Sequence, residues 1–206
     1  MHPINMETIN TPKALILQEA QYQFFDQGYN KVLMADLAKK LGMSKKTLYQ
    51  YFRGKEELLH AVIKHYLEEL QHDVEHLLQQ EEADFTYKAE QVFRTVGQRF
   101  ARINGQLLTD IRKHAPKTWQ LLQQYRTEAA FKRFKTLLEE GNRKGFIRKS
   151  ANISLAVLLY ASALEKILDP EFISQVPPEL MKDINYTPSA VYEGLANLIF
   201  HGLLEK

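Results

Sequence analysis

The sequence contains no cysteine, which excludes a disulfide framework, thiolate metal sites and a cysteine nucleophile. Glycine and proline are sparse, with nine and seven residues among 206. The longest uncharged apolar stretch, residues 151–164, is too short to cross a bilayer. The first residues show no basic start followed by an apolar run. We therefore expect a cytoplasmic protein without a secretory signal or a membrane anchor.

Charge is segregated along the chain, although the formal net charge is only +2. Acidic residues dominate 67–93, and basic residues dominate 94–149. Two explanations remain open at this point. The blocks can form complementary faces within one fold, or the basic block can receive an anionic partner.

Apolar residues recur with the period of helices almost everywhere, so we predict an all-α fold of about nine helices. Thr11 and Pro12 mark a helix start and Gly28 its end, while Ser44 can cap a helix that ends before Gly54. The predicted helices are 12–27, 34–41, 45–52, 55–80, 84–103, 105–113, 117–144, 152–168 and 188–204, with a proline-rich connector over 169–187.

The helices over 34–41 and 45–52, joined by a short turn, have the spacing of a helix-turn-helix, which places its second helix in the DNA major groove. Leu48 and Phe52 would pack on the first helix and leave the opposite face exposed. On that face, lysines can neutralise phosphates, and hydroxyls and amides can bond to phosphates or base edges. The predicted DNA-binding residues are Ser44, Lys45, Lys46, Thr47, Tyr49, Gln50, Tyr51 and, at the start of the following helix, Lys55.

The segment over roughly residues 12–65 closely resembles the DNA-binding domain of the tetracycline-repressor (TetR) family. The residues that carry the resemblance are Gly28-Tyr29, Asp36-Leu37-Ala38, Leu41-Gly42-Met43-Ser44, Thr47-Leu48-Tyr49-Gln50-Tyr51-Phe52 and Lys55-Glu56-Glu57-Leu58-Leu59. The resemblance implies that Ser44 caps the recognition helix and that Lys45 and Thr47 contact bases or phosphates. It also implies phosphate contacts from Tyr49, Tyr51 and Lys55.

Three positions depart from the family's pattern. Leu33 stands where a serine or threonine usually caps the second helix and contacts a phosphate, and leucine can do neither. Val32 replaces another frequent threonine. Lys46 replaces a small residue and adds a positive charge, which can compensate for the lost phosphate contact.

The resemblance also implies a division of the chain and a mode of action. We expect a three-helix DNA-binding domain over 1–54 and a helical ligand-sensing and dimerisation domain over 55–206, of which 55–80 is the connecting helix. The expected function is a ligand-responsive transcription regulator, with repression as the family's commoner mode. We expect double-stranded operator DNA and a small apolar ligand as partners, and no cofactor.

The last two long helices are apolar on nearly every side, so one face needs a partner. By resemblance they form a homodimer interface, for which we predict Leu159, Leu164, Leu195, Leu198 and Gly202. The middle helices are rich in aromatic residues, and the family places its ligand among them. The candidate pocket residues are Phe93, Phe100, His114, Trp119, Tyr125 and Phe134. An anionic ligand would suit the basic block over 94–149.

Two other functions fit parts of the sequence. His72-Asp73-Val74-Glu75-His76 spells the HxxEH pattern of one class of zinc protease, and His65 and Glu69 extend the same helix face. No Gly-rich phosphate loop or GxSxG elbow accompanies it, so we expect a solvated face and no enzyme. A helical protein-interaction module is the second alternative, but it gives no reason for a capping serine, paired lysines and two exposed tyrosines on one short helix.

Overall fold

The computed structural model describes residues 11–80, 84–103, 105–167, 169–182 and 188–203. Helices account for nearly all of this part, and no extended strand occurs in it. The helices are α1 (Pro12–Gln27), α2 (Met34–Lys40), α3 (Lys45–Tyr51), α4 (Lys55–Leu78), α5 (Phe85–Ala101), α6 (Gly105–His114), α7 (Pro116–Glu128), a π-helical segment (Ala129–Phe134), α8 (Lys135–Arg143), α9 (Ile153–Ile167), α10 (Pro170–Ile173), α11 (Pro178–Met181) and α12 (Pro188–Leu203). The all-α fold class is confirmed.

The helix ends follow from local side-chain chemistry. Thr11 accepts a hydrogen bond from the Ala14 amide, with Pro12 in the first turn, and Ser44 accepts one from the Thr47 amide. Each bond satisfies an amide that a helix start leaves without a partner. Gly28 ends α1 with φ of +80°, a left-handed conformation that side chains rarely adopt. The predicted caps at Thr11, Ser44 and Gly28 are confirmed.

The region predicted as one helix over 117–144 is helical throughout but changes character in its middle. Residues Ala129–Phe134 form a π-helical segment between α7 and α8. A π turn admits one extra residue and widens the helix, which shifts the directions of the side chains on it. The periodicity of the sequence did not reveal this change, because a single wide turn barely disturbs the apolar spacing.

The described residues belong to two compact units, each with its own core. The first comprises Met1–Glu68 and Ile103–Leu121, and the second comprises Glu69–Arg102 and Leu122–Lys206. This division does not follow the predicted boundary at 54/55, because contacts place the start of α4 and all of α6 in the first unit. Whether 1–54 folds as a domain remains a prediction.

In the first unit α2 packs on α3 and α1 on α6, around fully buried side chains that include Ile16, Phe24, Leu37, Leu48 and Leu59. In the second unit α12 packs along α5, and α9 packs against α12, the π-helical segment and α8. No helix in the described part of the chain is both long enough and apolar enough to cross a membrane.

Candidate DNA-binding surface and ligand cavity

The inner face of α3 is anchored firmly in the first unit. Leu48 is completely buried and Phe52 is 3% exposed, and they share a core with Leu37 and Ala38 of α2. Burying a leucine or phenylalanine side chain contributes about 1.5–3 kcal/mol. The orientation of α3 is therefore set by its core side, and the residues on its other side face away from the unit.

The outer face of α3 presents cations and aromatic rings. Lys45, Lys46 and Gln50 are exposed. Tyr49 and Tyr51 are 48% and 37% exposed, which is unusual for aromatic side chains on so short a helix. A surface that joins lysines with hydroxyl and amide groups matches the needs of phosphate and base-edge contact. We call this set, Lys45, Lys46, Tyr49, Gln50 and Tyr51, the α3 surface.

Ser44 and Thr47 are bonded to each other at the start of α3. The Ser44 hydroxyl accepts from the Thr47 amide at 3.0 Å and lies 2.8 Å from the Thr47 hydroxyl. The first role fits the cap predicted for Ser44. The second means that the Thr47 hydroxyl already has one partner, although its remaining hydrogen-bonding capacity can still serve a base or a phosphate.

Lys55 has an internal role that the sequence did not suggest. Its Nζ donates to the carbonyls of Tyr29 at 3.0 Å and of Asn30 at 3.4 Å, and it lies 4.3 Å from the centroid of the Tyr29 ring. Burial lowers the pKa of Lys55, although nearby Asp110 acts in the opposite direction. Lys55 thus joins the start of α4 to the loop between α1 and α2. The phosphate contact predicted for it would have to use the remaining hydrogen of the same ammonium group.

Asp110 of α6 holds the same loop from the other side. It is 3% exposed, and its Oδ2 accepts from the backbone amides of Tyr29 at 3.1 Å and Asn30 at 3.2 Å. Its Oδ1 accepts from Asn30 Nδ2 at 2.9 Å and Gln106 Nε2 at 2.8 Å. Sequence reasoning assigned no role to Asp110, because its loop partners lie about 80 residues away along the chain.

The second helix starts without a side-chain cap, as its sequence suggested. Leu33 occupies the cap position, makes no capping hydrogen bond and is 55% exposed. Val32, the neighbouring departure, is 1% exposed and belongs to the core. Its apolar side chain is therefore explained by packing, whereas nothing in the structure explains the leucine at 33.

Four of the predicted pocket residues come together in the second unit. Phe93, Phe100, Tyr125 and Phe134 line one small cavity of about 40 Å³. Its other lining residues are Val74, Val92, Val96, Arg126, Ala129, Ala130, Arg133, Tyr160, Leu164 and Tyr192. Among these, the two arginines were indicated only by the basic character of 94–149, and no pattern in the sequence pointed to Tyr160 or Tyr192.

His114 and Trp119 do not line this cavity. Both lie in the first unit, where His114 is exposed and its ring stacks on Tyr29 with centroids 6.5 Å apart. Trp119 lies with its ring 5.8 Å from the Arg112 guanidinium. The correction has a simple cause, since helical periodicity shows which residues are inside but not which core they belong to.

The tyrosines of the cavity are protonated over the physiological range. Burial raises the pKa of Tyr192 to about 12, and it also raises the pKa of Tyr125 and of Tyr160. A protonated phenol can donate a hydrogen bond. Together with the arginines, they give the cavity donors rather than negative charge.

Part of the segregated charge is paired within the second unit. Arg99 bonds to Glu69 at 3.3 Å and to Asp73, and Arg133 approaches Glu75 at 3.4 Å. These pairs join the basic block to the acidic block, as the first explanation of the charge pattern requires. They do not use all of the hydrogen-bonding capacity of Arg133, because only its Nη2 faces Glu75.

The predicted dimer residues separate into two groups. Leu159 of α9 and Leu198 of α12 are 58% and 75% exposed, and Leu195 is half-buried. Leu164 is only 5% exposed and lines the cavity, so it belongs to the protomer's own core and not to an outer face. Gly202 lies in α12, but its surroundings lie outside the described residues.

The HxxEH residues lie on the outer side of α4. His65, His72 and His76 are exposed, and Glu69 is bonded to Arg99. In the described part of the chain, no group of three or more metal-ligating side chains converges. The enzyme alternative therefore gains no support from the geometry.

Comparison with known proteins gives a family match for the N-terminal segment. Residues 16–62 match the sequence model described as bacterial regulatory proteins, tetR family. YvaF of Bacillus subtilis (strain 168), described as an uncharacterized HTH-type transcriptional regulator, is 26% identical over 170 residues, which are 82% of this chain and 84% of YvaF. The crystal structure of the TetR family transcriptional regulator PfmR from Thermus thermophilus superposes with a TM-score of 0.60 at 25% identity, covering 93% of this chain and 99% of PfmR. The N-terminal part of the chain therefore matches the tetR family.

By these comparisons the chain is a DNA-binding transcription regulator, and the proteins it resembles are regulators rather than enzymes. A Saccharomonospora viridis protein solved in complex with choline shares its fold, with a TM-score of 0.69 at 16% identity over 94% of this chain and 98% of that chain. The matched segment, 16–62, contains the whole α3 surface.

Proposed function

We propose that the chain is a repressor that binds operator DNA as a homodimer through the α3 surface and releases it when a small ligand enters the second unit. The α3 surface carries this proposal. Lys45 and Lys46 supply charge for phosphates, Tyr49 and Tyr51 supply exposed rings and hydroxyls, and Gln50 can read a base edge. The buried side of α3 holds these groups on a rigid support.

The experiment begins with an operator that the purified protein selects from a library of random duplexes. We expect a pseudopalindromic site with half-sites about one helical turn apart, because a symmetric dimer presents two copies of α3. Tyr49→Ala should weaken binding to all sequences alike, and Lys45→Ala should alter the preferred sequence, with a loss of about 1–3 kcal/mol for a base contact.

The matched control is Tyr87→Ala, because Tyr87 of α5 is 56% exposed but lies far along the chain from α3. Tyr87→Ala should leave operator affinity unchanged. Operator affinity that is equal in the unmodified protein, Tyr49→Ala and Lys45→Ala would falsify the assignment of the α3 surface.

Dimerisation is proposed through the exposed apolar faces of α9 and α12. Leu155, Leu158 and Leu159 of α9 and Leu198 of α12 are each more than half exposed. Such a set of large apolar side chains calls for a covering surface, and a second copy presents the same two faces by two-fold symmetry.

Sedimentation tests this assembly. Leu198→Glu should convert a dimer into a monomer, because it would bury a charge in the seam. The control is Leu180→Glu, since Leu180 of α11 is 62% exposed outside these two helices. A monomer in the unmodified protein at micromolar concentration would refute the homodimer.

Ligand response is supported by the cavity in the second unit and by the choline complex of the related fold. The ligand would stabilise one of two arrangements of the protein, and it can shift the balance only by its difference in affinity for them. Release of the selected operator on addition of a bound ligand is the measurement. A ligand that binds the cavity without changing operator affinity would contradict this part of the proposal.

A further inference from the structure

The small cavity of the second unit is unusual in its charge. Its lining includes two arginines, Arg126 and Arg133, and no aspartate or glutamate among the described residues. The rest of the lining is apolar or aromatic apart from the three tyrosine hydroxyls. A cation held against such walls loses much of its hydration, so an anion placed beside it stabilises it strongly.

Arg133 carries buried donors that no protein group satisfies. Its side chain is 9% exposed, and Nη2 reaches Glu75 Oε1 only at 3.4 Å. Nε and Nη1 are buried and have no hydrogen-bond partner among the described residues. The guanidinium also lies 5.3 Å from the centre of the Tyr125 ring. Each unpaired buried donor is costly, and a ligand oxygen that accepted from it would remove that cost.

Arg133 lies on the π-helical segment, which forms one wall of the cavity. Ala129, Ala130, Arg133 and Phe134 all lie on this segment and all line the cavity. Wide turns of this kind are frequent at functional sites.

A larger groove adjoins the cavity. It measures about 500 Å³ and runs between α5 and α12. Its apolar lining residues are Phe85, Ala89, Phe93, Ala196 and Phe200, and its polar ones are Thr86, Glu90, Arg94, Glu193 and Asn197. This volume is in the range of small-molecule sites. Phe93 lines both the groove and the cavity, and its ring packs edge-on against those of Phe134, Tyr160 and Phe200 at 5.9, 6.0 and 5.5 Å. One aromatic ring thus forms part of the wall of both spaces.

We propose that the ligand is a monocarboxylate with an apolar body, bound with its carboxylate on Arg133 in the cavity and its body in the groove, after the Phe93 ring moves aside. This inference rests on the proposed ligand response and names the chemistry of that ligand. The cavity of about 40 Å³ is small, so it admits a small head group only. A planar carboxylate matches the guanidinium and the phenol donors of Tyr160 and Tyr192.

The test uses the full-length protein and titration calorimetry. The probes are straight-chain carboxylates of four, eight and twelve carbons, with the eight-carbon amide and the eight-carbon trimethylammonium as neutral and cationic partners. We expect the eight- or twelve-carbon carboxylate to bind about tenfold or more tightly than the uncharged amide, because the amide has no negative charge and only one acceptor oxygen for the guanidinium. The trimethylammonium should bind more weakly still.

Variants of Arg133 and Phe93 test where the carboxylate binds and whether the Phe93 ring separates the cavity from the groove. Arg133→Met keeps an unbranched side chain and should abolish the preference for carboxylate over amide, while its thermal unfolding is unchanged or raised because a buried cation is removed. Arg133→Lys keeps the charge but loses the planar fork, and it should retain part of the preference. Arg143→Met, at an exposed position of α8, is the control and should bind as the unmodified protein does. Phe93→Ala should speed association by opening the wall.

Operator affinity without any ligand is measured on the same samples, so the two proposals fail separately. If none of the carboxylates binds, if the ammonium is preferred, or if Arg133→Met keeps the preference, the inference is overturned while DNA binding stands. If operator binding itself is absent, the proposed function fails, and carboxylate binding at Arg133 is judged from the calorimetry alone.

Discussion

Asp110 gives the sharpest prediction about what holds the DNA-binding unit together. Its carboxylate accepts four hydrogen bonds, two of them from the backbone amides of Tyr29 and Asn30 in the loop that precedes α2. We consider two replacements. Asp110→Asn keeps an oxygen that can accept from both backbone amides, whereas Asp110→Ala removes every acceptor.

The magnitudes follow from the charge of the acceptor. Hydrogen bonds to charged groups contribute about 1.5–3 kcal/mol each and neutral ones about 0.5–1.5 kcal/mol. Asp110→Asn therefore loses about 1 kcal/mol for each of the two backbone bonds, or about 2 kcal/mol of the free energy of unfolding, in addition to the two side-chain bonds to Oδ1 that both replacements remove. Asp110→Ala leaves two buried amides unpaired at about 1–3 kcal/mol each, so we expect a loss of about 4 kcal/mol.

Urea unfolding followed by circular dichroism measures both losses. An unchanged slope of the free energy of unfolding against urea concentration shows that the compactness of the folded and unfolded states is unaltered. In thermal unfolding, the losses correspond to about 4–8 °C for Asp110→Asn and about 8–16 °C for Asp110→Ala. Gln106→Ala is the control, because it removes one side-chain donor to Asp110 Oδ1 and leaves the backbone bonds intact. It should cost about 1 kcal/mol or less.

The decisive outcome is the order of the free energies of unfolding: highest for the unmodified protein, lower for Asp110→Asn and lowest for Asp110→Ala. If both variants unfold within about 0.5 kcal/mol of the unmodified protein, the bonds to the loop contribute no net stability, and the reasoning is refuted. Because the loop leads directly into α2, the Asn variant should also bind the selected operator more weakly at temperatures where it is still folded.

Two further predictions concern the core of the second unit. Gly141→Ala should lower the free energy of unfolding by about 1–3 kcal/mol, because the new methyl group would overlap the Phe85 ring and lie 2.9 Å from Ile147 Cδ1. The control Gly105→Ala should not destabilise the protein, because there is open space around Gly105. Equal stability of the two variants in urea would contradict the packing argument. Glu140→Gln should cost about 3–5 kcal/mol at neutral pH, because Lys88, 1% exposed and 2.8 Å from Glu140, would be left buried without its partner charge. Burial by itself would raise the pKa of Glu140, but hydrogen bonds from Lys144 and Lys88 leave it below its usual 4.5, so its contribution is present above pH 4.5 and is lost as the pH falls through the folded value. The difference between Glu140→Gln and the unmodified protein should therefore shrink in acid, and a difference that is constant from about pH 7 to about pH 3 would show that the ion pair is not its source.

The local features of the first unit could be predicted from the sequence because they depend on neighbours along the chain. A cap bonds to the amide three residues ahead, as Thr11 does to Ala14 and Ser44 does to Thr47. The alternation of Leu48 with Lys45, Tyr49 and Gln50 separates a buried from an exposed face at the period of an α-helix. These short-range relations were enough to predict the helix-turn-helix, and the comparisons bear it out.

Tertiary structure alone decided which distant residues meet. Asp110 finds its loop partners about 80 residues away, and Lys55 turns inward to two carbonyls. Aromatic residues that looked alike in the sequence divide between two cores, so Phe93 and Phe134 line the cavity while Trp119 lies in the other unit. Periodicity states that a side chain is buried but carries no information about what it is buried against. For Arg133, the sequence indicated only a basic block over 94–149, and the tertiary structure places its guanidinium beside Tyr125 in the wall of the cavity.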